Sequence, residues 1–175
     1  MVALQSNTPF EKGRANNVGF SRKHRGAPLS ISLGFMSPPT YLHLAPMGAV
    51  LPDISTLAPF RAVIVAEAEV SPDWQASVSV WLVQSGCLYT MAWGTNCSSW
   101  DDSVDMANIE EFNFKEIPEN KFVMTTWHED ETMAEVFWFC KNNAFHPNVE
   151  LTQTLVLHIS ANEREQEIVK FYAKA

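Results

Sequence analysis

The densest group of side chains able to do chemistry follows an apolar run in the middle of the chain. Residues 121–140 are KFVMTTWHEDETMAEVFWFC, where threonine, tryptophan, histidine and acidic residues separate two apolar segments. An imidazole titrates near neutral pH, so His128 is the first candidate for a general base or acid. The alternative is an ordinary loop histidine that hydrogen-bonds to the backbone.

Two further residues could assist such a base, and both fall in the segment 92–102, AWGTNCSSWDD. Asp101 could orient the imidazole, and Cys97 could act as a nucleophile if His128 lay within hydrogen-bond reach. Cys97 also lies beside a predicted helix N-terminus, where the helix dipole favours a thiolate. We therefore predict His128, Asp101 and Cys97 as catalytic candidates. An inert, small Cys97 in a loop is the alternative.

Acidic and aromatic residues near the predicted strand ends are the candidates for ligand binding. In an open parallel sheet, ligands bind beyond the carboxyl ends of the strands. The binding candidates at those ends are Glu69, Trp93, Trp100, Asp102, Trp127 and Glu129. The tryptophans could line a pocket, or they could fill the core at that end of the sheet.

The acidic pairs at these positions also suggest metal binding, because carboxylates on adjacent loops can hold Mg²⁺ or Ca²⁺. However, residues 101–102 and 129–131 fall at predicted helix starts, where acids cap free N–H groups and oppose the helix dipole. We therefore predict no metal site. The sequence after the first strand, EAEVSPDW, has no glycine-rich turn. With no nucleotide, flavin or haem motif present, we predict no cofactor.

Alternating strands and helices would position these residues. Four short apolar runs predict strands at 61–66, 87–93, 122–127 and 154–159, each followed by a helical pattern. Ser71 is the predicted N-cap of the first helix and Asn162 that of the last. This alternation predicts an α/β fold, a three-layer sandwich with a four-stranded, mostly parallel sheet and helices on both faces. The arrangement is flavodoxin-like or Rossmann-like without a nucleotide fingerprint. By analogy, we predict the strand order 2-1-3-4.

The first 46 residues differ from the rest of the chain. They are basic, rich in Ser, Asn, Gly and Pro, and show no sustained hydrophobic period. We predict a mostly disordered N-terminal extension. A transit peptide is one alternative, and upstream sequence assigned in error before a true start at Met47 is another. Residues 47–175 have the usual length of one domain.

The distribution of charge predicts which classes of partner the protein binds, and the cysteines predict its cellular compartment. The net charge of −8 combines about +4 in residues 1–46 with about −12 in residues 47–175. An acidic body repels phosphate backbones, which predicts no nucleic-acid binding, and it suits a basic protein partner. No apolar run reaches the length of a membrane span, so we expect no membrane partner. Three cysteines without paired spacing favour a reducing, cytoplasmic compartment.

Two phrases of the sequence resemble a known family. AWGTNCSSWDDSVD and VMTTWHEDETMAEVFWF are similar to those of a small set of uncharacterised bacterial, mostly proteobacterial proteins classed as a domain of unknown function. The resemblance covers about residues 58–175. It implies a soluble bacterial protein, and it implies no activity, cofactor or catalytic residue.

Two functions from different classes follow from these observations. The first is a non-catalytic binding or accessory protein, regulatory or immunity-like, which the acidic body and the aromatic-rich third helix favour. The second is a small hydrolase or transferase with His128 as general base. Convergence of Glu69, Asp101 and His128 within about 4–6 Å would favour the enzyme.

Overall fold

A computed structural model describes residues 38–175, which contain a five-stranded parallel sheet and four α-helices. The strands are β1 (Thr40–Leu44), β2 (Phe60–Ala66), β3 (Cys87–Gly94), β4 (Met124–His128) and β5 (Gln153–Ile159). The helices are α1 (Pro72–Gln84), α2 (Cys97–Glu111), α3 (Met133–Asn142) and α4 (Glu165–Lys174). Among the described residues, no helix combines the length and the apolar composition needed to cross a bilayer.

The α/β class and the parallel direction of the strands are confirmed, but the number and order of strands are wrong. The order across the sheet is β1-β5-β2-β3-β4. The four predicted strands therefore run 4-1-2-3 rather than 2-1-3-4. After β2, the chain adds β3 and β4 outward on one side and then returns to place β5 on the other side of β2. The amphipathic patterns do not encode the direction of each crossover, which explains the error.

The fifth strand, β1, lies inside the segment that was predicted to be an extension. Its residues pair in parallel with β5, from Thr40 opposite Leu155 to Leu44 opposite Ile159. The ordered sheet therefore begins before residue 47, and a start at Met47 would remove one of its strands. Residues 1–37 of the predicted extension lie outside the described residues.

Side-chain alternation along β2 divides the core into two clusters. All seven residues of β2 are buried. Ala62, Ile64 and Ala66 pack with buried residues of α1 and α2, on what we call the α1–α2 face. Val63 and Val65 pack with buried residues of α3 and α4, on the α3–α4 face. Successive side chains of a strand point to opposite faces, so one strand contributes to both clusters.

The helix starts agree with the sequence in some places only. Ser71 caps α1 as predicted, because its hydroxyl accepts the Trp74 N–H at 3.3 Å. Thr132 and Glu135 form a capping box at α3, so the carboxylates at 129–131 are not its caps. The N-cap of α2 is Asn96, in a left-handed conformation with φ 52° and without a side-chain bond. The predicted cap of α4 is also wrong, since its N-cap is Arg164.

We expect a chain that begins at residue 47 to be less stable than one that begins at residue 38. The shorter chain loses the buried side chain of Leu44, which alone contributes about 2 kcal/mol, and it exposes the backbone edge of β5. Thermal denaturation of both chains, followed by circular dichroism, measures the difference. Equal melting temperatures would show that β1 contributes nothing to the folded domain.

Candidate functional site

The strand register places five side chains at one level, at or one residue before the carboxyl ends of the strands. In sheet order they are His43, His158, Val65, Trp93 and His128. Side chains at paired positions of a parallel sheet point to the same face. Val65 packs on the α3–α4 face. The other four side chains of this row, including the three imidazoles, therefore lie on that face as well.

His128 lies at the β4 end of this row, and both of its ring nitrogens have hydrogen-bond partners. Its Nδ1 lies 3.0 Å from the Glu131 carboxylate and its Nε2 lies 3.2 Å from the Thr126 hydroxyl. The ring of Phe139 packs edge-on with a centroid distance of 4.9 Å, and the Trp93 indole N–H donates to the Glu131 carbonyl at 2.7 Å. Only 4% of His128 is exposed. The imidazole therefore has both nitrogens occupied and little access to a substrate.

The structure does not bring the three predicted catalytic residues together. Asp101 and Cys97 belong to α2 and are buried on the α1–α2 face, where Cys97 packs into the apolar core. His128 points to the opposite face of the sheet. Glu69, Asp101 and His128 consequently do not converge.

The predicted binding residues are spread over several environments. Trp100 is buried and meets Trp74 edge-on at 6.4 Å, so it fills the core. Glu69, Asp102 and Glu129 are exposed. Within residues 38–175, no three His, Cys, Asp or Glu side chains are grouped closely enough to hold a metal ion.

A second polar cluster surrounds His158, which is fully buried. Its Nδ1 lies 2.7 Å from the Tyr41 hydroxyl and its Nε2 lies 3.0 Å from the Glu67 carboxylate. The same carboxylate pairs with the Arg164 guanidinium, and the Arg164 backbone N–H donates to the Tyr41 oxygen at 3.3 Å. In the neutral imidazole, Nε2–H donates to the Glu67 carboxylate and Nδ1 accepts from the Tyr41 hydroxyl. His158 is therefore a core histidine with a partner on each ring nitrogen.

This cluster lies where a doubly wound sheet usually opens a ligand crevice. The chain leaves β2 toward α1 on one face and leaves β5 toward α4 on the other, which is the condition for such a crevice. Here the ion pair of Glu67 with Arg164 spans that position. Tyr41 and Arg164 were missed from the sequence, and Tyr41 lies in a strand of only five residues that follows the basic N-terminal segment.

His43 and Ser160 have the spacing of a base and a nucleophile, but not the hydrogen bonding. His43 Nε2 lies 3.3 Å from the Ser160 hydroxyl. It also lies 2.9 Å from the Ser160 carbonyl, to which it has to donate. The Ser160 hydroxyl in turn donates to the Asn162 carbonyl. The imidazole nitrogen therefore cannot accept the serine proton.

A third cluster joins α2 to β4 through contacts at successive levels. At the first level, the Asn108 amide oxygen accepts the Val123 N–H at 3.0 Å. At the second level, one turn nearer the helix start, the Asp105 carboxylate accepts the Thr125 hydroxyl at 3.0 Å. The helix therefore runs antiparallel to the strand, and one helical turn corresponds to two strand residues. We call this arrangement the α2–β4 contact series.

The third level of the series contains Asp101 and Trp127. A helical turn advances about 5.4 Å and two strand residues about 6.6 Å, so extending the register of the first two levels by one turn pairs Asp101 with Trp127. Asp101 is 7% exposed and its Oδ1 has no hydrogen-bond partner among the described residues. Burial raises the pKa of the Asp101 carboxyl, the Thr125 hydroxyl lowers it, and the charge of Asp105 raises it further. Unlike the residue pairs of the first two levels, Asp101 and Trp127 are not joined by a hydrogen bond.

A separate cavity of about 460 Å³ lies at the opposite end of the sheet, below the amino ends of β2 and β3. Its walls are mostly apolar and include Leu88, Phe112 and Val123. A hydrogen bond of 3.0 Å joins Gln84 and Glu111, which also line it. None of the predicted site residues reaches this cavity.

These features define an α/β domain built on one parallel sheet, with its polar clusters near the carboxyl ends of the strands. The chain belongs to the family described as a domain of unknown function (DUF7684), whose model matches residues 39–175. This confirms the resemblance to a domain of unknown function and extends the matched residues to include β1. Comparisons with curated proteins and with solved structures find no match.

We expect Tyr41→Phe to destabilise the domain by about 1–3 kcal/mol, because buried His158 loses a hydrogen-bond donor. Urea denaturation measures the change. Tyr172→Phe is the matched control, since the Tyr172 hydroxyl is buried without a hydrogen-bond partner among the described residues; its removal should be neutral or stabilising. Similar losses in the two variants would contradict the role given to Tyr41.

We expect Asp101→Asn to stabilise the domain at neutral pH by about 1 kcal/mol, because it removes a buried charge with an unfilled acceptor. The folded-state pKa of Asp101 is raised, so wild-type stability falls as the pH rises from the ordinary aspartate pKa through the folded one. The two proteins should therefore have equal stability below about pH 4 and diverge above it. Melting temperatures of the wild type and Asp101→Asn across this pH range test whether the stability difference grows as the pH rises. The exposed Asp102→Asn is the control.

Proposed function

We propose that this protein is a non-catalytic binding protein, regulatory or immunity-like, whose partner is a basic protein. The observation that carries the proposal is an exposed tryptophan on an acidic edge of the sheet. Trp127 is 54% exposed. With Asp105 of the adjacent α2, whose carboxylate accepts the hydroxyl of Thr125 in β4, and with Asp102, one turn earlier in α2, it forms what we call the β4 surface.

The position of β4 supports binding at this surface. It pairs with β3 on one side, and no other described strand lies on its outer side. An edge strand presents backbone N–H and C=O groups that can pair with an extended segment of another chain. Tryptophan is also among the residues that most often dominate binding energy at protein interfaces.

Charge supports a basic partner. Residues 47–175 carry a net charge of about −12, and the β4 surface combines two acids of α2, Asp102 and Asp105, with the exposed indole of Trp127. Complementary charge increases the rate of association and disfavours partners of like charge. We also propose a cytoplasmic location, which the three free and buried cysteines support.

The aromatic residues of α3 support binding less well than the β4 surface. Phe137 is buried in the core and Phe139 is partly buried, packed against the ring of His128. Trp138 is 52% exposed, but it follows Glu135 by one turn and precedes Lys141 by one turn. This mixed charge gives no preference for a basic partner.

The hydrolase or transferase alternative finds less support in the geometry. His128 is buried with both ring nitrogens occupied. The residues predicted to assist it, Asp101 and Cys97, lie on the opposite face of the sheet. A base without access to its substrate or its partners has no route to proton transfer.

Affinity capture with the immobilised 175-residue chain tests the proposal. We expect a stoichiometric basic protein from the native host, released by added salt. Trp127→Ala should reduce its recovery, with a loss of about 2 kcal/mol typical of an interface hot spot. Trp138→Ala is the matched control, because it removes an equally exposed tryptophan from another surface. Failure to recover a stoichiometric basic partner, or equal losses in both variants, would count against the proposal.

A further inference from the structure

The unfilled acceptor on Asp101 is the most informative feature of the β4 surface. The first two levels of the α2–β4 contact series are closed by hydrogen bonds. At the third level, Asp101 Oδ1 is buried and has no partner among the described residues. An unsatisfied buried acceptor costs about 1–3 kcal/mol, and folded proteins retain few of them. A donor supplied by another molecule would satisfy it.

The surroundings favour a donor that carries positive charge. Asp102 is adjacent in sequence, and Asp105 lies one helical turn away on the same side of α2. The negative charges of Asp105 and Asp102 disfavour the ionised form of Asp101, and a cation would offset them. The indole of Trp127, at the same level, attracts cations to its face.

A guanidinium group fits this pair of side chains better than an ammonium group does. Guanidinium is planar, so it can stack on an indole while two parallel N–H groups donate to one carboxylate. A lysine ammonium is a strongly hydrated point charge, so it can neither stack flat on an indole nor donate two parallel N–H bonds to one carboxylate.

We propose that Asp101 and Trp127 form a binding site for the guanidinium group of an arginine side chain carried by the basic partner. This inference rests on the proposed function. The arginine reaches the site from the open side of β4, where side chains of an extended partner segment alternate in direction. Asp101 Oδ1 is shielded from water, so binding requires a neighbouring side chain to move. The half-exposed indole of Trp127 can do so by a change of rotamer, as interface side chains commonly do.

A titration of the isotope-labelled 175-residue chain, followed by nuclear magnetic resonance, tests the site. The probe is the peptide acetyl-Ser-Arg-Ser-Arg-Ser-amide. We expect saturable shifts at the Trp127 indole N–H and at the Asp101 backbone amide. Replacing both arginines by citrulline keeps the shape and removes the charge, and it should weaken binding about tenfold or more. The lysine version should bind more weakly than the arginine version.

Asp101→Asn and Asp102→Asn form a matched pair, because each removes one negative charge from adjacent positions. Asp101→Asn should weaken the arginine peptide about tenfold, and Asp102→Asn should have a much smaller effect. Amide spectra of both variants show whether the fold is retained. Equal effects of the two variants, equal binding of arginine and citrulline peptides, or shifts confined to other surfaces would overturn the proposal.

The capture experiment separates this inference from the proposed function. If a basic partner is recovered and Asp101→Asn leaves its affinity unchanged, the guanidinium site is wrong and the binding function stands. If the arginine peptide binds at Asp101 and no partner is recovered, the site stands and the binding function is wrong.

Discussion

The structure depends on the two-sided burial of β2. Its backbone pairs with β3 on one side and β5 on the other, and all of its side chains are buried. Ala62 and Ile64 pack toward α1 and α2, whereas Val63 and Val65 pack toward α3 and α4. Because buried apolar area is the main source of stability, each helix pair gains its stability against the same central strand.

The same alternation decides which side chains can act together at the carboxyl ends of the strands. Trp127 and His128 are neighbours in β4, yet they point to opposite faces of the sheet. His128 therefore joins Glu131 and Phe139 on the α3–α4 face, while Trp127 points to the α1–α2 face, on which Asp101 also lies. The dense group of polar residues in the sequence becomes two separate groups in the fold, and the one on the α1–α2 face retains an exposed aromatic side chain.

Two buried titratable residues, His158 and Asp101, differ in whether their polar atoms have hydrogen-bond partners. His158 has a partner on each nitrogen, and its carboxylate partner Glu67 is held by Arg164. Asp101 has an acceptor without a partner, and its burial raises its pKa. The first arrangement stabilises the sheet at β1, β2 and β5. The second costs stability, and such costs in folded proteins concentrate at functional sites because binding compensates for them.

Hydrophobic period and helix-start signals in the sequence determined the α/β class, the four strands from β2 to β5 and the Ser71 cap, because these depend on contacts between near neighbours in the chain. The sequence also identified Asp101, Trp127 and His128 as notable side chains. It missed β1, since a five-residue strand following a basic, aperiodic segment gives too short a signal. Strand order, the Tyr41–His158–Glu67 contacts and the separation of Asp101 from His128 were decided by tertiary structure alone. They depend on how crossovers and strand register bring distant segments together, and no local pattern in the sequence encodes that choice.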